Sequence, residues 1–408
     1  MSDVGPTPSS RGPAGTSDSL AALLDHDPED WRSALDRRYA VLDDVLDGRR
    51  SAIVYPAARL GRDVVPQLTA LGVLVAAYGD RDPSVHGGAV DGLPVLSPAR
   101  VAVRHQADVI LVASTMYDSA IREDLESRGC QHVIPFGYLN LRLPHIFRTR
   151  EYDGAWKGAL DPTNRPDIEA AHALLGDLES RTVFEGKLGY YLARDKANID
   201  GIRSTNTIYF DRSVHALNPE EVVVDGGAFV GDTLSSFVGE SAGRFRAYYA
   251  FEPDPVSFDR LEVEAARDPA RVTAVRAGLA RQTSSARLLS THGADARFLG
   301  AEESGGDEVP VVGLDEYFAK RRPPTLIKMD IEGAEADALH GAARIIAAVR
   351  PKLAISAYHY PTDLWRIPLL LQRLMPDSRL YLRHYTREVD DTVCYAIPGD
   401  KSFQPLVG

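Results

Sequence analysis

The run Glu221-Val-Val-Val-Asp225-Gly226-Gly227-Ala228-Phe229-Val230-Gly231-Asp232-Thr233 constrains this chain more than any other stretch. Three consecutive valines read as a strand buried on both faces, and such strands belong to parallel sheets covered by helices on either side. The glycines supply a tight turn with close backbone approach, and the turn opens a helix. A carboxylate stands where the strand stops. In an NAD or FAD site this turn holds a pyrophosphate, so Asp225 would face like charge. S-adenosylmethionine has no phosphate and carries a cationic sulfonium and an ammonium, so it suits a carboxylate beside bare glycine backbone better.

The following strands repeat the pattern. Tyr248-Tyr249-Ala250-Phe251 ends in Glu252-Pro253-Asp254-Pro255, and a carboxylate at the end of a second strand can accept hydrogen bonds from both hydroxyls of a ribose. Two acidic strand ends in successive βα units are hard to explain by structure alone. The third strand is followed by Ala277-Gly278-Leu279, where an adenine edge would lie. Next, Ile327-Lys328-Met329-Asp330-Ile331-Glu332-Gly333-Ala334-Glu335 places three carboxylates within six residues of a strand end. Ser356-Ala357-Tyr358-His359-Tyr360 reaches the same edge, so His359 and Asp330 can converge on one substrate atom. An aliphatic hydroxyl is a poor nucleophile; a base such as His359, or a hard divalent metal such as Mg held by Asp330, Glu332 and His359, would ease loss of its proton. The plainer alternative is that Asp330 and Glu332 cap the next helix and Glu335 sits within it.

Strands are also legible at 222–224, 247–251, 272–276, 309–312, 326–329, 353–357, 380–383 and 392–396. The last two lack a helical crossover and suggest an antiparallel edge pair. Upstream, 50–136 alternates strands (52–55, 73–78, 109–113, 132–134) with helices (64–71, 120–128), which signals a second parallel sheet. Its first turn reads Tyr55-Pro56-Ala57-Ala58-Arg59, a dinucleotide turn without glycines: Pro56 lacks an N–H and Ala58 adds a Cβ. That weighs against retained nucleotide binding there. Helical spacing marks two short helices over 19–47, broken at Asp27-Pro28, and one helix over 166–178. Tyr190, Tyr191, Tyr209 and Phe210 form an aromatic cluster between the two sheets' sequences. The expected architecture is α/β, two tandem doubly wound Rossmann-like domains: a disordered tail at 1–18, helices plus a degenerate nucleotide-binding-like domain at 19–140, a helical linker or cap at 141–208, and a catalytic domain at 209–408.

Composition narrows the partners. With 46 Lys plus Arg against 58 Asp plus Glu, the chain of 408 residues carries a formal charge of −12, which repels nucleic acid and anionic lipid. The two cysteines, Cys130 and Cys394, are too far apart in sequence for a metal-type pair and read as ordinary thiols of a reducing compartment. No run approaches the ~20 apolar residues of a membrane span. The expectation is a cytoplasmic protein whose partner is a small molecule, with homo-oligomerisation left open.

These motifs in this order, together with Leu314-Asp315 and Arg350-Pro351-Lys352-Leu353, resemble the FkbM family of S-adenosylmethionine-dependent methyltransferases over 209–398. The tail from Ile355 through Trp365 and Leu382-Arg383-His384-Tyr385 is similar to a bacterial subgroup with a degenerate nucleotide-binding-like domain at its N-terminus. The resemblance implies a class I methyltransferase fold and O-methylation of hydroxyls on sugars or natural products. It assigns Asp225 and Gly227 to the amino-acid end of the cofactor, Glu252 to its ribose, and Asp330 with its neighbours to the reaction side; the reading of the strand ends themselves adds Thr233, Pro253 and Gly278 as cofactor contacts and Glu332 and His359 on the reaction side. Phe229 stands where many class I enzymes have the middle glycine, which leaves contact at Phe229 and Val230 open. Two other functions compete: a non-catalytic module for a nucleotide sugar or partner, and an NAD-linked oxidoreductase, the latter opposed by Pro56 and Ala58.

Overall fold

The computed structural model describes residues 17–25, 28–104, 108–115, 117–147, 161–193, 197–290, 296–299 and 305–399. Most of the tail expected to be disordered, 1–16, lies outside the described residues; Ser17 and Asp18 already belong to a helix, Ser17–Leu24. Contacts divide the chain into two units, Met1–Asn164 with Glu185–Gly201 and Thr386–Val389, and Arg165–Phe184 with Ile202–Tyr385 and Asp390–Gly408.

In the first unit, three helices replace the two expected: Ser17–Leu24, Pro28–Arg38 and Val41–Leu46. The added break follows Tyr39, whose ring packs on Tyr138 at 4.8 Å between centroids. Leu35, Tyr39, Leu42 and Val45 are all buried, so one apolar stripe runs through the break and hides it from a periodicity argument. Among the described residues six strands follow: β1 Ala52–Tyr55, β2 Val75–Gly79, β3 Ala89–Val90, β4 Leu93–Leu96, β5 Val109–Val112 and β6 Val133–Ile134. Their order is β3-β4-β2-β1-β5-β6, parallel except for β3. The β3–β4 hairpin turns on Asp91 and Gly92, with φ of 50° and 82°, the pair of positive angles a two-residue type I′ turn requires.

Among the described residues the second unit has eleven strands. β7 Val222–Gly226, β8 Ala247–Phe251, β9 Val272–Val275, β14 Leu326–Met329, β15 Lys352–Ser356, β16 Ser378–His384 and β17 Thr392–Pro398 form a sheet ordered β16-β17-β15-β14-β7-β8-β9. β17 lies antiparallel between β15 and β16, as the missing crossover predicts. The expected strand at 309–312 instead joins a second, four-stranded sheet of β10 Gly278–Leu279, β11 Ser284–Leu289, β12 Arg297–Phe298 and β13 Asp307–Val312. β7, β14 and β15 are buried at every position, the mark of central strands covered on both faces. Phe210, Phe237, Phe245 and Tyr248 form an aromatic centre in the core of this unit.

The helix expected over 166–178 ends at Ala173, and a second, Leu178–Ala193, begins beyond it. Gly176 donates its N–H to the Leu380 carbonyl at 2.7 Å, and Asp177 caps the new helix by accepting from Ser180 N at 2.8 Å, so tertiary pairing and a cap override a continuous apolar pattern. Cys130 and Cys394 are both free and buried. Among the described residues no helix is long and apolar enough to cross a membrane.

Candidate active site

Parallel strands deliver their carboxyl ends to one edge, and β8, β7, β14 and β15 are consecutive neighbours. Glu252, Asp225, Asp330 and the segment beyond Ser356 therefore sit side by side. The turn after β7 needs left-handed backbone at Gly227, Phe229 and Gly231, with φ of 71°, 47° and 91°. A Cβ on Gly227 would lie 1.9 Å from the Asp330 carbonyl oxygen, so only glycine lets the turn rest on the loop after β14. Asp330 N in turn donates to the Gly226 carbonyl at 3.1 Å.

Asp225 does not face an open crevice. It is fully buried, its Oδ1 lies 2.8 Å from Lys328 Nζ and its Oδ2 accepts from Tyr248 OH at 2.7 Å. The register that pairs Lys328 with Asp225 across β14 and β7 builds this ion pair. Burial alone would lower the ammonium's pKa; Asp225 and Asp330 outweigh it and raise it. Lys328 also donates to the carbonyls of Gly226 and Gly227, at 3.1 and 2.8 Å. The Asp225 charge thus supports the turn from beneath, and the electrostatic argument that linked Asp225 directly to a cationic ligand loses its geometric basis.

Glu252 is placed differently. Its Oε2 accepts from Phe229 N at 2.9 Å and its Oε1 from Asp254 N at 2.8 Å, which ties the end of β8 to the glycine turn. Burial pushes its pKa up to about 7 despite those two donors, so each carboxylate oxygen gains by a further hydrogen bond. Asp254 caps the helix Pro255–Ala265 by accepting from Ser257 N at 2.9 Å. Pro253 lies half-buried between them, and Thr233 is buried in the first turn of the helix Asp232–Glu240. Gly278 falls in β10, where a Cβ would strike the Phe298 ring at 2.4 Å; the side sheet packs closely here.

On the reaction side, Asp330 Oδ2 accepts from Tyr209 OH at 2.7 Å and Oδ1 from Tyr358 OH at 3.0 Å. His359 Nε2 lies 3.3 Å from Asp330 Oδ1 and 3.8 Å from Glu332 Oε2, while its Nδ1 lies 3.1 Å from Glu335 Oε1. Burial disfavours a charged imidazole, but Glu335, then Asp330 and Glu332, push its pKa up to about 10. Burial likewise works to raise Asp330, yet His359 and Lys328 hold it below the usual carboxylate range. The side chains of Asp330 and Glu332 are 24% and 36% exposed against 4% for His359, so the carboxylates form the open edge and the imidazole stands behind them. Glu335, read as a helix residue, begins the helix Glu335–His340 and bonds Ile331 N at 2.8 Å while facing the imidazole.

Sequence reasoning overlooked Lys328, Tyr358 and the role of Tyr209. A lysine inside a strand of otherwise apolar residues was the available signal, because a buried ammonium requires a counter-charge. Tyr209 gave no such signal: its φ of 64° is held by Tyr395 OH, which accepts from its N–H at 3.0 Å, and by His215 Nε2, 3.0 Å from its carbonyl. Both partners are distant in sequence or outside any motif.

Residues 225–389 match the family model of the methyltransferase FkbM domain. No curated protein matches the chain. The crystal structure of methyltransferase FkbM from Methylobacillus flagellatus KT is similar with a TM-score of 0.72 and 25% identity, over 93% of this chain and 98% of that one. Two more distant likenesses are precorrin-6y C5,15-methyltransferase from Geobacter metallireducens GS-15, at TM-score 0.30 and 12% identity over 45% of this chain and 82% of that one, and Aeropyrum pernix fibrillarin with natively bound S-adenosyl-L-methionine. The latter has a TM-score of 0.27 and 11% identity over 44% of this chain and 69% of that one. At that distance neither bears on function.

Proposed function

We propose that this chain, which carries an FkbM methyltransferase domain, moves a methyl group from S-adenosylmethionine to a hydroxyl of a sugar or sugar-bearing small molecule. The observation that carries the reading is the junction of the glycine turn with Asp330. Gly227 rests on the Asp330 carbonyl, Phe229 N reaches Glu252, and the Asp330–Glu332 edge opens beside them. On this reading donor and acceptor meet at one edge of the sheet.

Glu252 takes the ribose hydroxyls, and the half-buried residues Gly227, Phe229 and Val230 line the path of the methionine moiety. The sulfonium is already a good leaving group, so positioning in line with the acceptor oxygen supplies most of the acceleration. As the O–C bond forms, the S–C bond breaks and its electron pair stays on sulfur. The hydroxyl proton leaves through the Asp330–Glu332 edge. His359 has carboxylates at both nitrogens and no open edge, so the base expected from sequence becomes a positioning residue for Asp330. The charge of −12 favours a small polar acceptor over nucleic acid.

The test pairs calorimetry with S-adenosylhomocysteine and mass spectrometry of candidate sugars incubated with the donor. Binding of the product nucleoside, with a gain of one methyl in a hydroxylated acceptor, supports the reading; absence of binding sinks it. Asp330→Asn should lower turnover on the order of a hundredfold or more while S-adenosylhomocysteine affinity stays within a few-fold. The non-catalytic alternative predicts binding of an acceptor without methyl gain.

A further inference from the structure

We infer that Lys328 is a positioning residue of the donor site: its buried ammonium holds the glycine turn from below, and Asp225 and Tyr248 serve that ammonium rather than the donor. Lys328 stands in a strand whose other residues, Leu326, Ile327 and Met329, are apolar and buried. An ammonium is costly there. Taking two opposite charges out of water costs several kcal/mol per ion, and apolar residues of similar volume in place of a buried ion pair are often neutral or stabilising. Stability alone is therefore a weak reason for a lysine and an aspartate in register across β14 and β7. What apolar side chains cannot supply is a hydrogen-bond donor.

The ammonium has three N–H groups, and three acceptors lie within 3.1 Å of it: Asp225 Oδ1 at 2.8 Å and the carbonyls of Gly226 and Gly227 at 3.1 and 2.8 Å. The turn is tied on its other side as well, because Gly227 N and Ala228 N both donate to the Phe251 carbonyl at 3.0 Å. Carbonyls drawn to Lys328 and amides drawn to β8 fix the peptide planes of a turn with left-handed residues at Gly227, Phe229 and Gly231. Glycine leaves such a segment free to adopt other conformations, so its shape has to be imposed from outside. Asp225 is fully buried between the ammonium and Tyr248, whose hydroxyl donates to its Oδ2 at 2.7 Å. The ammonium also lies 5.1 Å from the centroid of the Tyr209 ring, whose hydroxyl bonds Asp330. One charge thus stands behind both the donor's turn and the acceptor-side carboxylate.

The link from Lys328 to the donor rests on the methyl-transfer reading; the link from Lys328 to the turn does not. The experiment compares D225N, K328M/D225N and K328Q/D225N in the full-length protein. S-adenosylhomocysteine calorimetry, the thermal midpoint and amide hydrogen exchange of peptides spanning 225–233 are measured on each. D225N keeps the ammonium under the turn and should hold S-adenosylhomocysteine within about threefold of wild type, whereas K328M/D225N should lose on the order of tenfold or more. K328Q/D225N, uncharged but still a donor, should recover part of that loss at a similar midpoint, an ordering that a purely structural role does not produce. In the ligand-free protein, exchange at 225–233 should be slowest in D225N and fastest in K328M/D225N. Equal affinity in D225N and K328M/D225N overturns the assignment. So does a loss in D225N as large as in the double variant, which would make Asp225 the donor contact. Where K328M/D225N does not fold, K328Q/D225N decides: affinity matching that of D225N overturns the inference. Wild-type protein that takes up no S-adenosylhomocysteine sinks the methyl-transfer reading and the donor role with it, and the exchange rates then decide whether Lys328 fixes the turn.

Discussion

The chain contains the same turn twice with opposite chemistry. After β1, Ala57 N donates to Asp80 Oδ2 at 3.0 Å; after β7, Phe229 N donates to Glu252 Oε2 at 2.9 Å. In both units a carboxylate at the end of the second strand fastens the turn that follows the first. The first unit needs no left-handed residue there, since Pro56, Ala57 and Ala58 all avoid positive φ, and it keeps a glycine only at Gly61, where a Cβ would lie 2.1 Å from the Pro56 carbonyl. The second unit uses three left-handed positions and sets the turn on a buried ammonium. On the other side of the first strand the contrast widens: β5, beside β1, runs into Ala113-Ser114-Thr115, whereas β14, beside β7, runs into Asp330, Glu332 and Glu335. Topology is shared; a site arises only where adjacent strand ends supply converging charge.

Substitutions at equivalent places sharpen that contrast. Gly227→Ala should be the most damaging, because its Cβ meets a backbone carbonyl at 1.9 Å and its φ is 71°. Insolubility, or a thermal midpoint lowered on the order of 10 °C, is expected, while Ala58→Gly in the first unit moves the midpoint by only a few degrees. Lys328→Met leaves Asp225 charged and unpaired in the core and should cost about 3–5 kcal/mol in denaturant unfolding, partly recovered when Asp225→Asn is added. An unchanged midpoint in the single variant would show that the pair is neutral in the folded state.

If the proposed donor site is right, Glu252→Ala removes the acceptor for two ribose hydroxyls and should weaken S-adenosylhomocysteine on the order of a hundredfold by calorimetry, whereas Asp80→Ala stays within about twofold. Equal losses would place the donor against both turns and break the contrast. The smallest effect is that of pH. In the proposed site the ribose hydroxyls would donate to an ionised Glu252, so affinity should fall as pH drops below about 7, and Glu252→Gln should flatten the profile. Without ligand the sign reverses. The folded carboxyl holds its proton more tightly than the unfolded one, so this group costs stability as pH rises from 4.5 to about 7.

The sheet of the second unit was legible because valine runs and strand-end acids obey local rules, and the antiparallel edge pair because no helix could fit between 384 and 392. The hairpin at Val90-Asp91-Gly92-Leu93 had the strongest turn signal of the first unit and was passed over because its strands are only two and four residues long. In the candidate site, Glu252, Asp330 and His359 could be gathered from strand ends alone. The inward turn of Asp225 could not, since it depends on Lys328 one strand away in space and 103 positions later in sequence. Tyr209 reaches Asp330 from a segment before the sheet begins, a meeting that only the folded chain specifies.

On the proposed reading, the missing side chain of Gly227 leaves the donor's cradle and the acceptor's floor separated by the thickness of one carbonyl group. Selection that reshapes the loop after β14 for a different hydroxyl will therefore also displace the peptide that cradles the donor. Changes of acceptor preference in this protein should arrive coupled to changes in its grip on the methyl source, and the two traits will be hard to evolve apart.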